Sequence, residues 1–216
     1  PILPLDLFDN RLIATSLLVA FLVGTAMFGA IAFVPLFVQA VMGGSATEAG
    51  TTLTPLFLGW VISSIAGARL SVRTGYRRVT TAGIALIVVG FMMLVVMDID
   101  AGRPMLLASA LVLGSGMGLS MLALLLAIQH GVERARLGLA TSLNQFSRSI
   151  GAAVGVAIMG ALLARSMAGM DLPGGAHGFA AGSLRLEGQA RVQLAGALQQ
   201  VFGLGAGMTV LALIAC

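Results

Sequence analysis

Long apolar stretches alternate with short polar links along the whole chain. A helix of about 20 apolar residues crosses the hydrocarbon core of a bilayer. The pattern therefore predicts an all-α membrane protein, one bundle of six transmembrane helices over residues 1–216, with an external loop over 165–195. The predicted spans are residues 12–40, 50–68, 79–97, 104–128, 138–164 and 196–216.

Local signals mark the end of the first span and the start of the second. Pro35 predicts a kink because proline removes an intrahelical hydrogen bond. Gly43 and Gly44 predict the break that follows. Ser45 and Glu48 have the spacing of a capping box, which predicts a helix start at this point.

The predicted external loop is the one segment with the polarity of a soluble protein. Pro173 and the two glycines after it indicate a turn. Two interpretations stay open for the end of this segment: a short amphipathic helix near residues 184–195 on the outer surface, or a mobile loop.

Six spans divide into two sets of three, and the second set must then cross the membrane in the opposite sense. This plan is the inverted repeat of many secondary transporters. The two sets show no clear sequence match, so the topology alone supports two inverted three-helix repeats.

Composition points to the lipid bilayer as the main partner. Apolar residues make up 58% of the chain and charged residues 9%, against about 25% charged in soluble domains. The net charge is +4, but the twelve arginines are spread along the chain and form no basic face. Nucleic acid is therefore excluded as a partner.

The sequence shows none of the residue combinations that typically indicate catalysis or metal binding. The chain contains no lysine, and Cys216 is its only cysteine. His130 and His177 lie far apart and have no ligand partner at metal spacing. With no paired carboxylates and no serine-histidine-acid set, we expect neither catalysis, nor a metal site, nor a cofactor.

The arginines predict the orientation of the spans. Cytoplasmic links of membrane proteins are enriched in arginine and lysine. Seven arginines fall on the side of the first residue and four on the opposite side, so both ends of the chain are predicted to be cytoplasmic. The seven are Arg11, Arg69, Arg73, Arg77, Arg78, Arg134 and Arg136, and the four are Arg103, Arg165, Arg185 and Arg191.

Arg148 is the one arginine inside a predicted span. It lies four residues after Asn144, so both share a helix face, with Thr141 on or near it. An arginine at this depth usually marks function, and we predict an interhelical polar contact. The alternative is that its long side chain reaches the headgroups. No carboxylate lies deep in any span, so the sequence displays no proton relay.

Glycines four residues apart predict close helix contacts in three spans. The pairs are Gly114 with Gly118, Gly151 with Gly155, and Gly203 with Gly207. The same glycines would also permit helix bending. The twelve methionines suit a pliable pocket, although filling gaps in the bundle is their more common use.

Three stretches resemble a known family, the major facilitator superfamily, and within it the fourteen-spanner drug/proton antiporters. They are "VPLFVQAVMGGSATEAG" (34–50), "GARLSVRTGYRR" (67–78) and "LGLATSLNQFSRSIGAAVGVAIMG" (137–160). The first is similar to the link between the first two helices of the family's C-terminal half, and the third to its penultimate helix. The resemblance thus implies the C-terminal half of such a transporter.

The second stretch is similar to the family's cytoplasmic signature. The resemblance implies a gate motif formed by Arg69, Arg73, Gly75, Arg77 and Arg78. In the family an aspartate of this motif forms a charge latch, but Val72 stands in its place here. We therefore expect a topology anchor and a flexible hinge in preference to a salt-bridged latch.

The resemblance also implies a central cavity, completed by an N-terminal half that supplies the proton-linked carboxylates. The residues implied to line it are Thr25, Phe28, Gln39, Ser115 and Met117. The implied activity is efflux of drugs or other small amphipathic molecules by alternating access, driven by the proton gradient.

The implied location is the bacterial inner membrane, where a periplasmic adaptor is a further candidate partner. Since the chain begins without methionine, we expect a piece of a longer protein, and we identify no signal peptide. Two alternatives stay open: a dedicated exporter of a self-made siderophore or antibiotic, and a non-transporting membrane scaffold.

Overall fold

The computed structural model describes residues 11–97, 102–167 and 189–216. Within these ranges six long helices form a bundle without strands, and each is apolar and long enough to cross a membrane, which confirms the predicted fold class. The helices are α1 (Arg11–Leu36), α2 (Ala46–Thr74), α3 (Tyr76–Val96), α4 (Arg103–His130), α5 (Leu137–Met167) and α6 (Gln189–Ala215).

The helices differ from the predicted spans mainly at their ends. Helix α5 continues to Met167 and α6 begins at Gln189, so the predicted loop over 165–195 is too wide on both sides. The described part of the proposed 184–195 helix, residues 189–195, forms about the first two turns of α6. Hydropathy detects the apolar middle of a helix, whereas backbone hydrogen bonds continue into its polar ends. Residues 173–175 and 184–188 lie outside the described residues.

Helix α1 ends in a wider turn. Pro35 lies inside the helix, and the segment Phe37–Val41 that follows is a π-helix. The Met42 N–H donates to the Phe37 carbonyl oxygen over 3.1 Å, a bond that spans five residues. Arg191 of α6 donates from Nε to the Val41 carbonyl over 2.6 Å. The helix end is thus bonded to another span.

The predicted capping box at the start of α2 is confirmed. The Ser45 Oγ accepts from the Glu48 N–H over 3.2 Å, and the Ser45 N–H donates to Glu48 Oε2 over 2.8 Å. Gly43 precedes the cap with a φ of +69°, a conformation that favours glycine. The predicted break and helix start therefore follow from local sequence alone.

Contacts between helices follow a two-fold pattern. The most extensive contacts join α2 with α4, α3 with α4 and α1 with α5, followed by α1 with α6 and α3 with α6. The two sets of three helices can be matched, with α1 corresponding to α4, α2 to α5 and α3 to α6. Under this match the α2–α4 pair corresponds to the α5–α1 pair. The α3–α4 pair likewise corresponds to the α6–α1 pair. This is the contact pattern that two inverted three-helix sets produce.

One apolar core runs through α1, α3, α4 and α6, and α2 and α5 cover its sides. Phe37 and Phe202 lie within it, with ring centroids 6.3 Å apart. By contrast α2 exposes Val61, Ile62 and Ile65, and α5 exposes Phe146, Ile150 and Ile158. These outer faces are apolar because their surroundings are lipid or other membrane-embedded protein.

Candidate functional site

A small polar pocket lies between α1, α4 and α5. Its volume is about 150 Å³. Helix α5 contributes most of the polar lining, and α1 contributes apolar walls. The lining residues are Val19, Ala20, Val23, Ser120, Met121, Leu124, Leu125, Thr141, Asn144, Gln145 and Arg148. The pocket is thus a cleft with polar side chains between membrane-spanning helices.

Two hydrogen bonds between α1 and α5 fix the orientation of this polar face. Ser147 donates from Oγ to the Leu17 carbonyl over 2.7 Å, and Thr25 donates from Oγ1 to the Gly151 carbonyl over 2.9 Å. Gly151 lies directly on the α1 backbone at Phe21. Ser147 and Gly151 lie on either side of Arg148 in the sequence, and both are hydrogen-bonded to α1. These bonds therefore fix the rotation of α5 about its axis, and with it the direction in which Arg148 enters the pocket.

Arg148 is half-buried and turns its guanidinium into the pocket. Its Nη1 lies 3.1 Å from the Met121 Sδ, and its Nη2 donates to the Gln145 Oε1. Gly24 of α1 lies against the Arg148 stem, where a methyl group would collide with the Arg148 backbone. The arginine is therefore held between helices.

Asn144 shares the pocket with Arg148. Its side chain is only 9% exposed, and its Nδ2 has no hydrogen-bond partner among the described residues. Thr141, one turn before it, accepts a hydrogen bond from Gln129 Nε2 over 3.3 Å. The structure thus brings together the two polar residues that the sequence singled out. It adds Ser147 and Gly24, which only the small-residue pattern of two facing helices would have revealed.

A second, larger groove of about 720 Å³ lies where the ends of α1, α3, α4 and α6 meet. Tyr76 and His130 face each other there, with the hydroxyl oxygen 3.3 Å from the imidazole Nε2. Arg77 donates from Nε to the Cys216 carbonyl over 3.0 Å. We call this the inner groove, after the side of the membrane on which the sequence predicts it to lie.

The predicted gate residues divide between the inner groove and its outside. Gly75, Arg77 and Arg78 line the groove, whereas Arg69 and Arg73 lie exposed on the last turns of α2. Gly75 joins α2 to α3 with a φ of +93°, so this turn needs glycine. In the described ranges none of these arginines forms an ion pair with a carboxylate.

The predicted cavity residues do not form one site. Thr25 and Met117 are almost fully buried inside the bundle, because α5 covers Thr25 and neighbouring helices enclose Met117. These two therefore pack helices together and do not face a cavity on the surface of this unit. Phe28 is exposed, and Gln39 and Ser115 are half-buried. None of the five lines the polar pocket or the inner groove.

The predicted packing glycines have different surroundings. Gly114 and Gly118 of α4 lie against the α2 backbone at Leu56 and Trp60, and Gly155 of α5 lies against Thr25. A side chain at any of these positions would overlap the facing helix. The α6 pair, Gly203 and Gly207, has nothing within 4 Å of an added Cβ and lines an open apolar groove beside α3. For that pair the prediction of a helix contact is wrong within this unit.

Arginines gather at one end of the bundle. The inner end, which holds the inner groove, has seven of the described arginines, and the opposite end has Arg103, Arg165 and Arg191. Arg103 is paired with Glu48 over 3.0 Å. Apolar spans with polar groups concentrated at their ends and in one pocket define a multi-pass membrane protein.

Comparison with known proteins gives the family. The family model described as Major Facilitator Superfamily matches residues 1–156, and the chain belongs to this family.

Named bacterial relatives match much of the chain. The chain is 35% identical over 212 residues to the multidrug transporter protein MdtP of Bacillus subtilis. The aligned region covers 94% of the chain and 39% of that protein. The chain is 36% identical to multidrug resistance protein 3 of the same organism (74% of the chain, 31% of that protein). It is 30% identical to a tetracycline resistance determinant of Streptomyces rimosus (73% of the chain, 46% of that protein). The chain thus spans less than half the length of these relatives.

Proposed function

We propose that the chain is the C-terminal six-helix half of a fourteen-span exporter that expels drugs or other small amphipathic molecules in exchange for protons. The observation that carries the proposal is the similarity, over 94% of the chain, to a protein named as a multidrug transporter. The exporter works by alternating access, and an N-terminal half packs on this unit to complete a central cavity. The chain itself performs no enzymatic step and needs no cofactor.

The inner end of the bundle faces the cytoplasm in this proposal. Its support is the excess of arginine at that end, because positive charge is retained on the cytoplasmic side during insertion. Arg77 and Arg78 then lie at the cytoplasmic mouth, and Gly75 is the hinge between α2 and α3. The bacterial relatives support the inner membrane as the location.

The proton-binding carboxylate belongs to the N-terminal half. Of the described residues only Glu48 and Glu133 carry a carboxylate, and both lie at the ends of helices. A proton relay needs an ionisable group inside the membrane. The six described spans therefore supply binding surface and movement to the exporter, and the other half supplies the coupling.

Efflux from cells that express the full-length protein tests this function. Cells are loaded with ethidium or tetracycline, and retained compound is followed with and without a protonophore. We expect lower retention than in cells with the empty vector, and the protonophore should abolish the difference. Efflux that persists with the protonophore would contradict proton coupling. If expressing cells retain as much ethidium and tetracycline as cells with the empty vector, drug export is contradicted.

Substitutions on the surface of this unit test where the substrate binds. Phe28→Ala removes an exposed aromatic ring from α1, and we expect it to change the resistance profile. Val89→Ala is the control, since it removes a similarly exposed apolar side chain from α3. Identical profiles for Phe28→Ala and the wild type would exclude Phe28 from the cavity.

A further inference from the structure

The polar pocket between α1, α4 and α5 has more hydrogen-bond donors than its own residues use. A guanidinium group carries five N–H donors and accepts none. The described hydrogen bonds of Arg148 go to one amide oxygen and to the Met121 sulfur, which is a weak acceptor. The Asn144 Nδ2 is buried and makes no hydrogen bond within the described chain. The pocket is therefore complementary to a ligand that accepts hydrogen bonds.

The charge of the pocket also favours a ligand that accepts hydrogen bonds and is negatively charged. Arg148 brings a positive charge, and no residue that lines the pocket is acidic. A charge inside a span is costly unless it is paired or faces water. We propose that this pocket binds a carboxylate group, with the Arg148 guanidinium and the Asn144 amide as its donors.

Size and wall chemistry restrict the ligand further. A cavity of about 150 Å³ is large enough for benzene, so a pocket of this volume holds a group of about that size and not a whole drug molecule. Val19 and Val23 on α1 and Leu124 on α4 add apolar side chains to the lining. A carboxylate on a short apolar stem or ring suits this shape, and its single charge matches that of one arginine, with which it pairs through two parallel hydrogen bonds.

The donors are held in place before any ligand binds. Ser147 and Gly151, on either side of Arg148, are both hydrogen-bonded to α1. Gly24 leaves room for the Arg148 stem against α1. A donor that is fixed in advance loses little entropy when it binds, which raises its affinity for the acceptor.

The carboxylate has two possible sources with the same chemistry. It belongs either to a small molecule, such as a transported compound, or to an aspartate or glutamate elsewhere in the full-length protein. The site itself rests on the contacts of the pocket, so it does not depend on drug export.

Thermal unfolding of the purified full-length protein tests the site with benzoate, and with benzamide as the uncharged molecule of the same shape. We expect benzoate, but not benzamide, to raise the Tm of the wild type. Arg148→Gln should weaken the apparent benzoate affinity about tenfold or more, because hydrogen bonds to charged groups are the strong ones. Arg165→Gln is the control on the same helix, at an exposed position, and should bind benzoate like the wild type.

The second source gives a different result. If a carboxylate of the protein occupies the pocket, benzoate leaves the wild type unchanged and Arg148→Gln lowers the Tm. Neutralising one aspartate or glutamate elsewhere in the chain then restores that Tm. Arg148→Lys keeps the charge but loses the two-pronged geometry, so it should give an intermediate effect in either case, and it replaces Arg148→Gln if that variant does not fold.

Two results would overturn the proposal. One is a benzoate effect that is equally strong in the wild type and in the Arg148 variants, which would place the carboxylate elsewhere. The other is a wild type that ignores benzoate, together with an Arg148 variant that no neutralised carboxylate restores.

Discussion

The α1–α5 and α2–α4 pairs are equivalent under exchange of the two three-helix sets, yet they are joined by different interactions. Both crossings use glycine to bring two backbones close together. The α1–α5 pair adds hydrogen bonds from Ser147 and Thr25 within the span. In the described chain the α2–α4 pair has side-chain hydrogen bonds only at its outer end, from Arg103 to Glu48 and Thr51.

We call α1–α5 the fixed pair, because hydrogen bonds join it within the span, and α2–α4 the sliding pair, because in the described chain only packing joins it there. Close glycine packing sets the distance between two helices, whereas a hydrogen bond also sets their rotation and axial position. The fixed pair carries the polar pocket, whose donors need a constant direction. The sliding pair ends at Gly75, where the chain turns into α3. Movement within this unit is therefore expected along α2 and not along α5.

The largest effect is expected from filling the sliding contact. Gly114→Leu places a branched side chain where the α2 backbone at Leu56 already lies. Overpacking of this backbone contact should lower the free energy of unfolding by about 3 kcal/mol or more. Gly160→Leu on α5 is the control, since nothing lies within 4 Å of its Cβ position. Unfolding of the full-length protein in detergent measures both, and equal Tm values would contradict the close crossing.

The turn at the end of the sliding pair should be the next most sensitive position. Gly75→Ala forces a φ of +93° on a residue with a Cβ, at an expected cost of about 1–3 kcal/mol, although no atom lies near enough to collide. Gly50→Ala, inside α2 with equally open surroundings, should be neutral or stabilising. A Tm for Gly75→Ala as high as that of Gly50→Ala would show that the turn tolerates other conformations.

Removing a hydrogen bond of the fixed pair is expected to lower stability less than either glycine substitution. Thr25→Val and Ser147→Ala each remove one bond between α1 and α5, and such bonds average about 0.6 kcal/mol in membrane proteins. The more informative measurement is the benzoate affinity of each variant, because the Arg148 direction depends on these bonds. Small losses of stability with unchanged benzoate affinity would mean that glycine packing alone positions Arg148.

The smallest effect is expected at the outer end of the sliding pair. Glu48 and Arg103 form an exposed ion pair, and such pairs contribute little to stability because water screens the attraction between the two charges. Arg103→Gln should therefore lower the Tm by little, and added salt should reduce the difference. A large loss that persists at high salt would show that the α2–α4 pair is fixed by polar contacts after all.

The sequence was sufficient to predict the six spans and the capping box. A span can be predicted because the apolar residues that define it are consecutive in the sequence. The Ser45–Glu48 cap can be predicted because it involves only neighbours along the chain. Helix ends were less predictable, as α6 shows by beginning at Gln189. A polar first turn carries no hydropathy signal, although its backbone continues the helix.

The predictions were weakest where a side chain's helix face decides its role. Thr25 and Phe28 lie three residues apart on α1, yet one is buried against α5 and the other is exposed. Because α1 is apolar on nearly all sides, its sequence does not reveal which neighbour covers which face. For the same reason Gly114 and Gly203 look alike in sequence, although only Gly114 faces another helix. Asn144 and Arg148 were found because polar groups are rare enough in a span to stand out.

The π-helical segment of α1 has a consequence for chain length. A turn whose hydrogen bond spans five residues holds one residue more than an α-helical turn, so Phe37–Val41 contains the equivalent of a single-residue insertion. Deleting one residue there should leave an ordinary α-helix, with the loss of the Arg191 bond to the Val41 carbonyl. Homologous chains one residue shorter at this place are therefore expected to fold alike, whereas shortening α1 elsewhere would rotate one part of the helix against the other.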